Sequence, residues 1–289
     1  MTDWTARDLP SFDGRRVIVT GANSGLGLIT ARELARVGAD VVLAVRDTAK
    51  GAAAARQMSG AVEVRELDLQ DLSSVSRFAD GVDRVDVLIN NAGIMAVPHQ
   101  LTVDGFESQI ATNHLGHFAL ANLLLPKLTD RVVTVSSLTH WRGGLQVDDL
   151  NSLVRSYDPY LAYSQSKLAN LLFTSGLQRR LDDVGSSLRA MAAHPGSSNT
   201  NLMNGTHGGH FGDVLASITR SFFTDADFGA RQTLFAASQE LPGDSYVGPR
   251  FVMRGRTQRV SRSKAARDAA TADALWKESE KLTGIPFPL

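Results

Sequence analysis

Read for its hydrophobic and polar positions, the chain alternates between two periods. Short apolar or β-branched runs at residues 15–21 (RRVIVTG), in DVVLAV, at 61–69 (AVEVRELDL), 84–93 (RVDVLINNAG), 131–137 (RVVTVSS) and 187–196 (SLRAMAAHPG), and in SYVGP, have strand character. Between them, LITARELARVG, residues 47–58, about 71–79, Asp104 to Leu128, the stretch from Tyr163, residues 227–238 and residues 265–282 repeat their apolar positions at helical spacing. No break in composition divides the series. This alternation predicts an α/β fold, a doubly wound parallel sheet of about seven strands flanked by helices. It would form a single domain over residues 1–289, with a short arm at 1–14 and a helical extension over about 250–289.

The turns carry the chemistry. TGANSGLG, NNAG, SS and HPG each follow an apolar strand directly. In a parallel sheet all strands end on one edge, where ligands bind, so the four turns should line one crevice. Gly21, Gly25 and Gly27 fall between a strand and a helix, making a Rossmann-type βαβ unit. Such a turn lets the backbone approach a pyrophosphate, and the helix N-terminus favours its charge. Glycine can also serve a tight turn merely by allowing positive φ, but the placement between strand and helix favours nucleotide binding. The second strand ends at Arg46 with no carboxylate at its tip. A guanidinium suits a 2′-phosphate, so NADP(H) is expected over NAD(H). Asp47 runs against this but reads better as a helix N-cap. Lys50 is equally well a second phosphate contact or a solvated side chain.

Tyr163 and Lys167 lie four apart at the start of a helical stretch read as amphipathic, and so share one face. A free phenol titrates near 10 and carries protons poorly at neutrality. A nearby ammonium should lower that value. Tyr160 lacks such a partner, having Ser164 four residues on, and Tyr157 lies beyond Pro159.

The bulk properties narrow the classes further. The 289 residues carry 30 basic and 30 acidic side chains, which argues against a nucleic-acid partner for the chain as a whole. There is no cysteine, so disulfides and thiolate chemistry are out, and a reducing cytoplasm fits. MTDWTARDLPSFDGRR does not read as a signal peptide, and no run approaches the roughly 18 apolar residues of a membrane span. A soluble, cytoplasmic protein is expected. His114 and His117, and likewise His207 and His210, are spaced as imaginable metal ligands, but no carboxylate pattern or cysteine accompanies them and no metal is expected. Residues 200–218 read as a mobile substrate flap. From Arg250 to Arg267 there are seven basic residues and no acidic one, a run read as solvated or paired with a neighbouring subunit, with recognition of an anionic substrate as the other reading. The final GIPFPL should pack on the body or on a partner. Segments at 94–101, 138–160 and 197–225 are apolar enough to suggest a lipophilic carbonyl substrate.

TGANSGLG, NNAG, Asn113, VVTVSS, YSQSK and HPG, in that order, resemble the short-chain dehydrogenase/reductase superfamily across almost the whole chain. NHLGHF, SSLTH, the long interval between Ser137 and Tyr163, and AYSQSKLANLLF are most similar to the branch holding the retinol dehydrogenases and the WW-domain oxidoreductase. The apolar N-terminal anchor of that branch's membrane-bound members is not seen in this sequence. The resemblance implies roles. Tyr163 would be the catalytic acid/base, Lys167 would lower its pKa and hold the nicotinamide ribose, Ser137 would bond the substrate oxygen, and Asn113 would hold a water of the proton relay. Gly21, Asn23, Ser24, Gly25, Leu26 and Gly27 would meet the cofactor phosphates and ribose, and Arg46 matches the basic position of NADP(H)-using relatives. Asp68 and Leu69 would meet adenine, Asn90, Asn91, Ala92 and Gly93 would lie along the ribose, and Pro195, Gly196 and Thr200 would embrace the nicotinamide. It further implies a homodimer or homotetramer. The function expected is hydride transfer between NADP(H) and a carbonyl or alcohol. A catalytically idle dinucleotide-binding sensor is the alternative from another class. A nucleotide-sugar epimerase or dehydratase is a third, for which about 90 residues after HPG leave little room.

Overall fold

A computed structural model of the chain describes residues 3–142, 144–196 and 226–289. At its centre lie β1 (Arg16–Thr20), β2 (Asp40–Val45), β3 (Val62–Glu66), β4 (Val85–Asn90), β5 (Leu128–Val135), β6 (Arg189–Ala193), β7 (Tyr246–Pro249) and β8 (Thr257–Arg259). They form one sheet in the order β3-β2-β1-β4-β5-β6-β7-β8. Every neighbouring pair is parallel except β7 and β8. The expected parallel sheet is therefore present, with an eighth, antiparallel strand at its edge. That strand, TQR, is three residues long and has no apolar alternation, which is why the sequence pattern passes over it.

The inner strands are covered on both faces, as their unbroken apolar runs require. Val17, Val19, Val41 and Leu43 face one layer, formed by α1 (Gly25–Arg36), α2 (Thr48–Ala55) and, further along the chain, α7 (Ala226–Ser238). Ile18, Val42 and Leu88 face the other, where α3 (Leu72–Asp80), α5 (Gly116–Leu124), α6 (Pro159–Asp183) and α8 (Ala269–Thr283) pack. The alternation of Val17, Ile18 and Val19 between the two layers follows from the two-residue period of a strand. None of the described helices is long and apolar enough to cross a membrane.

Two elements differ from the sequence pattern. The helical region expected from Asp104 to Leu128 starts only at α4 (Ser108–Ile110), passes through a π-helical turn at Ala111–Leu115, and continues as α5. Gly116, just past the π turn, lies so close to the chain that an added Cβ would stand 2.4 Å from the Leu69 carbonyl oxygen. The stretch carrying Tyr163 is not amphipathic. Every residue from Ala162 to Gln178 is buried, because α8 covers the side turned away from the sheet. Trp276 of α8 stacks on Phe173 with ring centroids 5.8 Å apart, and the terminal Phe287 packs edge-on to Trp276 at 6.0 Å. The helix also begins a turn before Tyr163, where Asp158 accepts from the backbone N–H of Tyr160 at 2.8 Å and of Leu161 at 3.0 Å, with Pro159 as the first helical residue.

The two edges of the sheet are built differently. At the N-terminal edge charges pair. Arg189 meets Asp130 at 2.6 Å, the Arg16 backbone N–H donates to Asp86 at 2.7 Å, and the side chain of Arg16 pairs with Asp40 and Glu63. At the C-terminal edge glycine turns and uncharged polar residues gather. Because β1 lies between β2 and β4, the strand order reverses there, and the crevice of a doubly wound sheet opens above that point.

Candidate active site

The crevice is closed at its base by Thr20, the last residue of β1. Its hydroxyl accepts from the backbone N–H groups of Asn91 and Ala92, both at 2.9 Å, while its carbonyl oxygen accepts from the Asn91 side chain at 2.7 Å. Those bonds tie the first glycine turn to NNAG. The turn then needs its glycines. Gly21 sits at φ +65° and Gly25 at φ +55°, the left-handed region. A Cβ on Gly27 would stand 2.4 Å from the Asn91 amide nitrogen and 2.7 Å from the Gly21 carbonyl oxygen. Ser24, the residue before α1, makes no side-chain capping bond. The orphan N–H groups of the first turn, at Gly25, Leu26 and Gly27, are thus left to an anion, as a pyrophosphate site requires.

Along the same edge Arg46 is exposed at the tip of β2, with no ion pair to it among the described residues. Asp47 beside it is the N-cap of α2, accepting from the Lys50 backbone N–H at 3.0 Å, and its carboxylate meets the Lys50 ammonium at 3.1 Å. That capping bond, with the Lys50 contact, holds the Asp47 carboxyl below its ordinary value. Asp47 therefore points back along its own helix. Asp68 follows β3, its carboxylate accepting from the Gln70 backbone N–H at 2.9 Å, and Leu69 beside it is buried. Asn90 is buried at the end of β4. Pro195 and Gly196 follow β6, with Gly196 at φ +71° and its N–H donating to His194 Nδ1 at 3.2 Å. Thr200, His207, His210 and the stretch expected to form a flap lie outside the described residues.

The other half of the site comes from α6, the π turn and the end of β5. Lys167 is buried, and its ammonium donates to the Val135 carbonyl oxygen at 3.1 Å while lying 5.6 Å from the centroid of the Tyr163 ring. Asn113 bridges the elements. Its side-chain oxygen accepts from the Ile94 N–H at 2.9 Å, and its nitrogen donates to the Ile94 carbonyl at 3.0 Å and the Ser166 hydroxyl at 2.8 Å. A Cβ on Gly93 would stand 3.1 Å from Asn113 Oδ1 and 3.3 Å from Lys167 Nζ, so NNAG closes directly over this pair. Ser137 begins the turn after β5, close enough to the Tyr163 phenol to pull its pKa downward.

The electrostatics reverse one expectation. Burial pushes the Tyr163 phenol up, to about 12, with Ser137 pulling the other way. Burial lowers Lys167 to about 8. Withdrawal from water outweighs attraction to the ammonium, which lies over the ring and bonds to a backbone carbonyl. A phenol is protonated at neutral pH at its ordinary value, and burial strengthens that preference.

A model of the short chain dehydrogenase family matches residues 15–208. The chain belongs to that family. Human retinol dehydrogenase 13 is 43% identical over 297 residues, spanning 96% of this chain and 87% of that protein. Human retinol dehydrogenase 14 is 40% identical over 300 residues, spanning 94% and 87%. The chain thus falls in the retinol dehydrogenase branch of the short-chain dehydrogenases and is a pyridine-nucleotide oxidoreductase with a small-molecule substrate. A crystal structure of an uncharacterised protein from Mycobacterium Paratuberculosis is 68% identical, with a TM-score of 0.90 and full coverage of both chains.

Within this family member, several residues at the site escape sequence reasoning. Thr20 reads as the end of a strand, yet it orders two turns. His117 Nε2 meets the Thr20 hydroxyl at 2.9 Å and its Nδ1 meets the Asn113 carbonyl oxygen at 3.2 Å. His114 instead meets Ser279 of α8 at 2.9 Å, so the two histidines turn to different partners and share no site. His140 Nδ1 lies 2.6 Å from the Ser137 carbonyl oxygen, and its Nε2 accepts from the Ser263 N–H at 3.3 Å, which puts the ring proton on Nδ1. Tyr157 is no spare acid/base. Its hydroxyl bonds Glu107 at 3.0 Å, Gln109 at 2.7 Å and the Val97 carbonyl at 3.0 Å, fixing the loop after NNAG. The signal for His117 and His140 was a histidine at helical spacing from a site residue, four past Asn113 and three past Ser137.

Proposed function

We propose that this protein is an NADP(H)-dependent reductase of lipophilic carbonyl compounds, running the alcohol oxidation in reverse when conditions favour it. The observation that carries the reading is the meeting of Tyr163, Lys167, Ser137 and Asn113 at the C-terminal sheet edge, beside the glycine turn and the uncapped start of α1.

A nicotinamide bound in this crevice would supply the hydride that the carbonyl carbon accepts. The chain does the rest. Ser137 donates a hydrogen bond to the carbonyl oxygen and steadies the negative charge that grows there. Tyr163 gives its hydroxyl proton to that oxygen, so the carbonyl becomes an alcohol and the phenol a phenolate. The protonated phenol serves carbonyl reduction, whereas alcohol oxidation uses the phenolate. Lys167, fixed by the Val135 carbonyl, offers its charge to that phenolate and its N–H groups to the ribose. Asn113 holds the π turn against α6 and would hold the water that returns the proton. Gly21, Asn23, Ser24, Gly25, Leu26 and Gly27 would cradle the phosphates, Asp68 and Leu69 would meet the adenine, and Asn90, Asn91, Ala92 and Gly93 would line the ribose. Pro195 and Gly196 would flank the nicotinamide.

Arg46 supports the NADP(H) preference, since it is exposed at the tip of β2 with no ion pair among the described residues, while Asp47 is engaged in capping. The retinol dehydrogenase relatives support an apolar substrate, retinal among the candidates. The composition without cysteine fits a cytoplasmic setting, and a homodimer or homotetramer completes the reading. The test is oxidation of NADPH and of NADH against a panel of aldehydes, ketones, retinal and quinones. NADPH should be preferred, and Arg46→Gln should weaken NADPH at least about ten-fold while leaving NADH nearly unchanged. Equal use of both cofactors by the parent protein would reject the preference, and no turnover across the panel would reject the function.

A further inference from the structure

The backbone around Ser137 is held from two sides. On the N-terminal side, Ser136 donates its backbone N–H to the Ala193 carbonyl oxygen and its hydroxyl to the Lys167 carbonyl oxygen, both at 2.8 Å. On the C-terminal side, His140 holds the Ser137 carbonyl oxygen through its backbone N–H at 3.2 Å and through ring Nδ1 at 2.6 Å. The ring bond is the shorter, and the ring has its own supports. His140 is buried, edge-on to Tyr246 of β7 with centroids 5.7 Å apart. Its Nε2 accepts from the Ser263 backbone N–H at 3.3 Å, and the Ser263 hydroxyl accepts from the Ala266 N–H at 3.2 Å. Ser263 lies beyond residues 15–208, the span that the family model matches.

One neutral imidazole therefore joins the C-terminal segment to the serine at the end of β5. A ring that accepts at Nε2 must carry its proton on Nδ1, which is the nitrogen that faces the Ser137 carbonyl. Burial pulls the ring below its ordinary value, against the bond to Ser137, and the Arg262 charge adds to burial. Ser137 itself is extended, at φ −148° and ψ 159°. Its hydroxyl accepts from the Thr139 N–H at 3.3 Å, near the limit of a hydrogen bond, so the backbone must set its position. With the flanking peptides fixed, the Cα–Cβ bond of Ser137 has one direction, and the side chain is kept beside the Tyr163 phenol.

We propose that His140 is a positioning residue for carbonyl reduction, its Nδ1–H holding the Ser137 carbonyl so that the Ser137 hydroxyl meets the substrate oxygen. The inference rests on the reading that Ser137 bonds that oxygen. Two amide variants separate the two ends of the ring. His140→Asn sets an amide nitrogen where Nδ1 stands and keeps the bond to Ser137. His140→Gln reaches the place of Nε2 and keeps the contact to Ser263. Steady-state reduction of decanal by NADPH is measured on the full chain, with NADPH titration and urea midpoints alongside. His140→Gln should lower kcat at least about ten-fold, as a displaced reacting group does, while the NADPH dissociation constant stays within about two-fold. His140→Asn should keep kcat within about three-fold of the parent protein. A ring that served only to hold the C-terminal segment would give the reverse order, and that order, or equal kcat in the two variants, would overturn the proposal. In a Ser137→Ala background His140→Gln should cost no further kcat, because the hydroxyl it places is gone; an undiminished cost there would also overturn it. Ser137→Ala alone should lower kcat about 10²–10³-fold. Parental kcat in that variant would instead strike the Ser137 reading, and the role of His140 with it.

Discussion

Asn113 donates 2.8 Å to the hydroxyl of Ser166, and Ser166 in turn donates 2.8 Å to the carbonyl oxygen of Tyr163. Through these two bonds the π-helical turn and α6 hold each other in place at the point where the phenol sits. Ser166 is fully buried, so no water replaces a lost partner. Ser166→Ala leaves the Asn113 amide with one bond fewer. It should lower stability by about 1–2 kcal/mol and reduce kcat with little change in nucleotide affinity. Urea unfolding and steady-state kinetics on the same preparation check both. A variant with parental kcat would show that the strut does not position the phenol.

Two glycines of the crevice should separate binding from chemistry. Gly27→Ala places a methyl group 2.4 Å from the Asn91 amide and 2.7 Å from the Gly21 carbonyl oxygen, both parts of the cradle itself. Nucleotide binding should be lost with it. Gly93→Ala places the methyl 3.1 Å from Asn113 Oδ1 and 3.3 Å from Lys167 Nζ, a crowding that small shifts relieve. It should keep nucleotide binding and lower kcat. Fluorescence titration with NADPH distinguishes the two, and equal affinities in both variants would contradict the assignment of the turn.

Acid should destabilise the fold before any carboxylate titrates. Burial lowers His114, His117 and His194 each to about 3. The folded state keeps them neutral, whereas the unfolded chain takes up protons below its ordinary value of about 6.5. The stabilisation is therefore present above that value and drains away as pH falls toward 3. Each residue should cost about 2 kcal/mol between pH 7 and pH 5. His114→Gln keeps a polar partner for Ser279 and removes one such group. Its urea midpoint should fall less between those pH values than that of the parent protein, and an equal fall would refute the idea.

Much of this molecule can be read from its residues, and the reasons for the rest are physical. β1, β4, β5 and β6 are buried on both faces, so their apolar runs stand out and the turns after them can be aligned on one edge. Tyr163 and Lys167 share a helix, so spacing alone relates them. β8 is short, lies at the sheet edge and is polar, and leaves no periodic trace. The burial of α6 is decided by α8, which lies more than 80 residues further on, and the upward shift of Tyr163 follows from that burial. Local spacing suggested the opposite sign. Thr20, His117 and His140 act through bonds to backbone groups of distant segments, which no pattern along one strand or helix records.

The central claim is that the Tyr163 hydroxyl gives its proton to the substrate oxygen. Tyr163→Phe removes that oxygen and little else, since the ring stays buried against Lys167. Turnover of NADPH with the best carbonyl substrate should fall by about 10²–10⁴-fold while the NADPH dissociation constant changes by less than about two-fold. A phenylalanine variant that turned over within about ten-fold of the parent rate would contradict the account.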